Sequence, residues 1–161
     1  MQQAQLVRVT RDEAFAYLAD AVTVDPTFEP FVRRARACGA AVTVLSSGLR
    51  SVITTVLAGF GMRDLPVVAN EADYAPGGWS VTFVDPDAEN GTDKAARVRA
   101  AVARGAATVF IGDGISDFAA ALVAGRVFAK ANRALERYGS ERGLPWTSFA
   151  TFAQIERALF A

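Results

Sequence analysis

Gly112-Asp113-Gly114-Ile115-Ser116-Asp117 is the segment of this chain best suited to chemistry. It follows the apolar run Ala107-Thr108-Val109-Phe110-Ile111 directly, and its two carboxylates stand four residues apart. Asp113 at the end of a strand and Asp117 near the start of a helix can therefore converge on one hard cation. Gly112 and Gly114 let the backbone turn sharply and bring its amides close to a ligand. Magnesium is the expected ion, because it takes one or two carboxylates, several waters and the phosphate oxygens of a substrate. Taken alone, the same residues read better as a tight Asp-Gly turn followed by an acidic first-turn residue. An EF-hand is ruled out, since the twelfth position from Asp113 is Ala124, where a bidentate glutamate is required.

Two further segments carry polar groups in suggestive places. Ser46 closes the apolar run Ala41-Val42-Thr43-Val44-Leu45 and precedes Ser47-Gly48. Its hydroxyl and the following amides suit phosphate oxygens at a helix N-terminus, and a plain N-cap serine suits the same position. Lys94 falls in the first turn of a helix, where a cation is unfavourable beside the positive end of the macrodipole. A functional lysine or an exposed one accounts for it. The chain has no histidine, which removes the usual general base, the Ser/His and Cys/His pairs and most zinc sites. Cys38 is the only cysteine, so there is no internal disulfide framework, and a reducing cytoplasm is the expected compartment. Chemistry then rests on carboxylates, hydroxyls and lysine.

These residues need a scaffold, and the patterning supplies one. Thr10 and Glu13 form a capping box ahead of a helix from Arg11 to Ala21. Thr27 offers an N-cap for a second helix striped with Phe28, Phe31, Val32 and Ala35, ending near Gly39. The run 41–45 reads as a buried parallel strand that breaks at Ser46 and feeds a helix through Val52, Ile53, Val56 and Leu57. Leu65 to Ala69 is the next strand, and Trp79 to Val84 belongs to a hairpin after the turn Pro76-Gly77-Gly78. A helix from Thr92 to Ala103, the strand 107–111 and a helix from Phe118 to Ala124 follow. Val127 to Ala129 is a short strand, Arg133 to Tyr138 a helix stopping at Gly139, and Thr151 caps a last helix facing the core with Phe152, Ile155 and Leu159. Strand and helix alternate from Ala41 onward, the pattern of a doubly wound sheet whose ligands bind at the strands' carboxyl ends.

At 161 residues the chain fits one domain, which buries roughly 70% of its unfolded surface. Hydrophobic residues at 52% and charged residues at 21% are a globular composition. Lysine plus arginine equals aspartate plus glutamate at 17 each, so neither nucleic acid nor an anionic membrane is the expected partner. The start of the chain lacks the basic and long apolar regions of a signal peptide, and no apolar run approaches the ~20 residues of a membrane span.

In order along the chain, Val44-Leu45-Ser46-Ser47-Gly48, Lys94 and Gly112 to Asp117 resemble motifs two, three and four of the haloacid dehalogenase-like superfamily, in its phosphoserine-phosphatase-like branch. Asp25-Pro26-Thr27-Phe28, Val68-Ala69-Asn70, Gly91-Thr92-Asp93-Lys94 and Val127-Phe128-Ala129-Lys130, with Pro145, Phe149 and Phe152, are similar to the subgroup containing 2-hydroxy-3-keto-5-methylthiopentenyl-1-phosphate phosphatases. The likeness covers most of the chain after Val24.

The resemblance implies an α/β fold with a doubly wound, mainly parallel sheet, here lacking its first strand and most of the cap. Residues 1–23 would be a cap remnant and return helix, and 24–161 the core. It implies a magnesium-dependent phosphomonoester phosphatase in which an aspartate attacks the phosphoryl group to form an aspartyl-phosphate, and a second aspartate protonates the leaving group. Carried onto this sequence, Ser46 and the Ser47 amide would hold the phosphate, and Lys94 would balance its charge. Asp113 would ligate magnesium, with Asp117 a ligand or a supporting partner. Lys94 and Asp113 are then the catalytic residues. The family's D-x-D-x-T nucleophile motif is not matched. Leu6-Val7-Arg8-Val9-Thr10-Arg11-Asp12 has threonine in the nucleophile's place, and burying Arg8 in a central strand is costly without a partner. Phe83-Val84-Asp85-Pro86-Asp87 contains D-x-D out of order and reads as a surface turn. The expectation is a phosphatase of a small phosphorylated metabolite that is inactive or incomplete as this chain, either shortened at its N-terminal side or completed by a strand from another copy in a homo-oligomer. The alternative is a non-catalytic module that binds phosphate or magnesium or acts through protein contacts.

Overall fold

The computed structural model describes residues 9–75 and 78–161. Leu6 to Arg8 of the threonine-ended stretch and Pro76-Gly77 of the hairpin turn lie outside the described residues. The elements run α1 (Arg11–Ala21), α2 (Phe28–Ala37), β1 (Val44–Leu49), α3 (Arg50–Gly59), β2 (Val67–Ala75) and β3 (Gly78–Thr82). They continue α4 (Lys94–Ala103), β4 (Val109–Gly112), α5 (Phe118–Ala121), β5 (Arg126–Lys130), α6 (Ala134–Glu141), β6 (Thr147–Phe149) and α7 (Phe152–Phe160).

Among the described residues six strands form two sheets, ordered β1-β2-β3 and β4-β5-β6. All pairings are parallel except the β2–β3 hairpin. Side-chain alternation shows that the two sheets share the same two faces. On β1, Val44 packs into the cluster of Phe31, Val32 and Ile155, while its neighbour Leu45 packs into the cluster of Val98, Phe110 and Leu135. On β5, Phe128 joins the first cluster, and Val127 and Ala129 the second. Helices α2, α3 and α7 therefore cover one face and α4, α5 and α6 the other, as expected of parallel strands buried on both sides. The doubly wound α/β architecture is as anticipated. β1 and β4, the strands that carry Ser46 and lead into Asp113, are both edges with no ladder between them among the described residues. No helix among the described residues is long and apolar enough to cross a membrane.

Local signals placed α1 well: the Thr10 N–H donates to Glu13 Oε2 at 2.8 Å, and the Glu13 N–H donates to Thr10 Oγ1 at 3.3 Å. The helix sits by the hairpin, where Trp79 Nε1 donates to the Val9 carbonyl at 3.1 Å and Phe15 meets Tyr74 edge to face.

Elsewhere tertiary partners changed the reading. Thr27 makes no side-chain cap on α2. Its hydroxyl donates to Asp25 Oδ1 at 2.6 Å and accepts from the Ala153 N–H at 3.1 Å. Asp25 Oδ2 accepts from the Phe152 N–H at 2.9 Å, so two residues before α2 satisfy the orphan donors of α7. Thr151 stands at the N-cap of α7 as expected, in a capping box with Gln154, whose Oε1 accepts from the Thr151 N–H at 3.2 Å. Burial pushes the Asp25 carboxyl up, but hydrogen bonds from the Thr27 hydroxyl, the Thr27 N–H and the Phe152 N–H, with the Lys130 charge, hold it below the usual carboxylate value. Gly139 does not stop α6, which runs to Glu141. A Cβ at Gly139 would stand 2.5 Å from the Trp146 ring, so this glycine serves close packing rather than termination. β1 also runs through Ser46 and Ser47 to Leu49, because Val44, Leu45 and Leu49 register with β2.

Candidate functional site

β4 ends at Gly112, and the chain turns through Asp113 and Gly114 into a 3-10 turn, Ile115–Asp117, that continues as α5. Asp117 is buried and folds back on this loop. Its Oδ2 accepts from the N–H groups of Asp113 and Gly114, both at 2.9 Å, and its Oδ1 accepts from the Lys94 ammonium at 2.6 Å. A carboxylate offers about four acceptor sites, so three donors leave little room for a cation. Of the two roles anticipated for Asp117, ligand or supporting partner, these hydrogen bonds favour the second. A Cβ at Gly112 would stand 2.7 Å from Asp117 Oδ2, so that glycine permits the fold-back. Gly114 has an ordinary φ of −106° and room for a side chain, and sterics do not demand glycine there.

Lys94 opens α4 and is 7% exposed. Its ammonium also donates to Ser116 Oγ at 3.0 Å. The placement that is unfavourable on dipole grounds is offset by a buried counter-charge, while Asp93 caps the helix by accepting from the Ala96 N–H at 2.7 Å. Asp113 contrasts with Asp117: it is exposed, and its carboxylate has no hydrogen bond or ion pair among the described residues. Its carbonyl is held by the Leu135 N–H at 3.0 Å. The carboxylate is thus presented on a fixed backbone and free to bind.

Ser46 lies within β1, and its Oγ accepts from the Gly48 N–H at 3.0 Å. Helix α3 starts only at Arg50 with no side-chain cap, which disposes of the N-cap alternative for Ser46. Ser47 Oγ is buried and has no partner among the described residues. An unmet buried hydroxyl costs about 1–3 kcal/mol, and an oxygen-rich ligand would satisfy it. The Ser46 carbonyl accepts from the Thr92 hydroxyl at 3.0 Å, which brings the polar end of β1 to the start of α4, two residues before Lys94.

The structure therefore joins Lys94, Ser116 and Asp117 directly, and ties Ser46 and Ser47 to them through Thr92. Among the described residues no group of three or more His, Cys, Asp or Glu could hold a metal. Such a donor set fits a magnesium ion held by Asp113, water and substrate oxygens, not a protein cage. The out-of-order D-x-D stretch does other work: Asp85 accepts from the Asp93 N–H at 2.9 Å and from Arg97 at 2.8 and 3.1 Å, bracing the start of α4. Sequence reasoning gave no role to Asn70, which is buried and bonded to three segments around the site. The available signal was a β-disfavoured amide directly after the apolar run Val67-Val68-Ala69.

This fold and this arrangement of Ser46, Lys94 and the Asp113 loop belong to a known class: the chain is a member of the haloacid dehalogenase-like hydrolase family, whose model matches residues 2–122. The chain is 30% identical over 162 residues to Pdp3-interacting factor 1 of Schizosaccharomyces pombe, covering 95% of this chain and 70% of that protein. It is 29% identical over 154 residues to the 2-hydroxy-3-keto-5-methylthiopentenyl-1-phosphate phosphatase of Brevibacillus brevis, covering 92% and 68%. The crystal structure of a phosphoserine phosphatase in apo form matches with a TM-score of 0.64 at 16% identity, over 85% of this chain and 69% of that one, a likeness of fold. The family and the methylthiopentenyl-phosphate phosphatase likeness read from the sequence are borne out, and the fold is similar to that of a phosphoserine phosphatase. Phosphatase function of the haloacid dehalogenase type is the activity these matches support.

Proposed function

We propose that this chain carries the phosphate- and magnesium-holding part of a phosphomonoester phosphatase site for a small phosphorylated metabolite. The observation that carries the reading is the buried Lys94 ammonium, fixed by Asp117 and Ser116 beside the loop that presents the free Asp113 carboxylate. Lys94 would balance the charge of the phosphoryl oxygens, and Ser46 and Ser47 would bind them from the end of β1. Asp113 would hold magnesium, which when bound neutralises phosphoryl charge. The family's aspartyl-phosphate route needs a carboxylate nucleophile as well. Asp85, the carboxylate of the out-of-order D-x-D, is engaged at α4, and the open edges of β1 and β4 are where the family's nucleophile strand would sit. As this chain stands, turnover is therefore expected to be negligible.

The test is p-nitrophenyl phosphate hydrolysis with magnesium, comparing this chain with a version extended at its N-terminal side by an apolar strand ending in Asp-x-Asp-x-Thr. The expected outcome is activity only in the extended protein. Absence of turnover in both overturns the phosphatase reading, and phosphate binding by the extended protein without turnover would favour the non-catalytic module instead.

A further inference from the structure

Asn70 is 2% exposed and sits at the point where three segments meet. Its Nδ2 donates to the Ser47 carbonyl at 3.0 Å and to the Asn90 carbonyl at 3.3 Å. Its Oδ1 accepts from the Val84 N–H at 3.2 Å and lies 3.3 Å from the Thr92 hydroxyl. That hydroxyl has one proton and two acceptors within reach, Asn70 Oδ1 and the nearer Ser46 carbonyl at 3.0 Å. The amide thus has both its N–H groups and its oxygen bonded, as a buried polar network requires to be favourable. What it connects matters more than its count of bonds. Ser47 belongs to the strand end bearing the phosphate-binding serines, and Thr92 leads into Lys94. Ser46-Ser47 on β1 and the bonded group Lys94-Ser116-Asp117, at the start of α4 and in the turn after β4, meet through Asn70 and Thr92.

We infer that Asn70, acting with Thr92, is a positioning residue that sets the placement of Ser46 and Ser47 relative to Lys94. This rests on the phosphate-binding reading above. Neither side chain touches the phosphoryl group; each fixes the backbone that does. Removing the amide leaves the Ser47 and Asn90 carbonyls without their donor and frees the strand end to shift, and a shift of this kind weakens binding without removing a binding group.

The experiment measures inorganic phosphate binding in the presence of magnesium by calorimetry, together with amide hydrogen exchange in the ligand-free protein. The variants are Asn70→Ala, Thr92→Val, Thr92→Ser and, as a destabilised control remote from the site, Leu159→Ala. Asn70→Ala and Thr92→Val are expected to weaken phosphate binding about tenfold, the equivalent of one hydrogen bond. Thr92→Ser restores it because the hydroxyl is kept, and Leu159→Ala binds as the parent does despite a lower melting temperature. Exchange should speed up together at Ser47, Gly48 and Lys94 in the two weakened variants. Parent-like binding in Asn70→Ala, or an equal loss in Leu159→Ala, overturns the inference. If the parent itself binds no phosphate, the functional reading fails, and the exchange data decide this one separately: unchanged exchange at Ser47, Gly48 and Lys94 overturns it.

Discussion

The buried Lys94–Asp117 pair allows a quantitative test by a double-mutant cycle. Both side chains are 8% exposed, and the pair is 2.6 Å apart. In Asp117→Asn the amide oxygen can still accept from the Asp113 and Gly114 N–H groups, but its NH2 then faces the ammonium and leaves it only the Ser116 hydroxyl. Breaking a buried pair from one side costs about 3–5 kcal/mol. For a chain of this size that is a fall in melting temperature of about 6–20 °C. In Lys94→Met the carboxylate keeps its two backbone donors, so a smaller loss of about 1–3 kcal/mol is expected. The double variant has no buried charge at this position, and its cost should stay near that of the milder single change. The coupling then equals the cost of the harsher single change, about 3–5 kcal/mol, at or above the upper end for contacting residues. Urea unfolding followed by circular dichroism measures each corner of the cycle. Because the pair is shielded from solvent, the coupling should hardly change with salt. Single effects that add to within about 0.5 kcal/mol, or a coupling that vanishes in high salt, would refute the view of a desolvated pair.

Asp113→Asn should abolish magnesium binding by calorimetry while leaving stability within about 0.5 kcal/mol, since the exposed carboxylate makes no bond among the described residues. Unchanged magnesium affinity sinks its assignment. Gly112→Ala places a methyl against Asp117 and should cost about 1–3 kcal/mol in urea unfolding, with loss of magnesium binding as the loop shifts. Gly139→Ala should cost a similar amount through Trp146 but leave magnesium binding intact. Asp25 gives a pH prediction. Its carboxyl is depressed in the folded state, so its contribution is present above the unfolded value near ~3.9 and is lost as pH falls through the lower folded value. Asp25→Asn should therefore flatten the stability profile below about pH 4, and an unaltered acid limb would count against the Asp25–Phe152 tie.

The sequence by itself determined the features that depend on neighbours along the chain. The capping box at Thr10 and Glu13, the apolar strands, the amphipathic helices and the Asp-Gly loop are all local, and together they indicated the fold class. The ordering of Ser46, Lys94 and the Asp113 loop was likewise legible because it is a linear pattern. β6 was not, since Thr147-Ser148-Phe149 is strand only because it pairs with β5, in a run too short and too polar to show a period. Gly139 looked like a helix stop until Trp146 was seen against it. Thr27 looked like a cap for its own helix, yet its hydroxyl serves α7, more than a hundred residues away. The surroundings of the site residues were decided in the same way. Two carboxylates four residues apart suggested two ligands, but Asp117 turns inward to Lys94 and its own loop amides, and Asp113 turns outward. That division depends on which donors surround each carboxylate after folding. Asn70 marks the limit most clearly: in the sequence it is an amide after an apolar run, and only the meeting of three distant segments around it makes it a joint of the site.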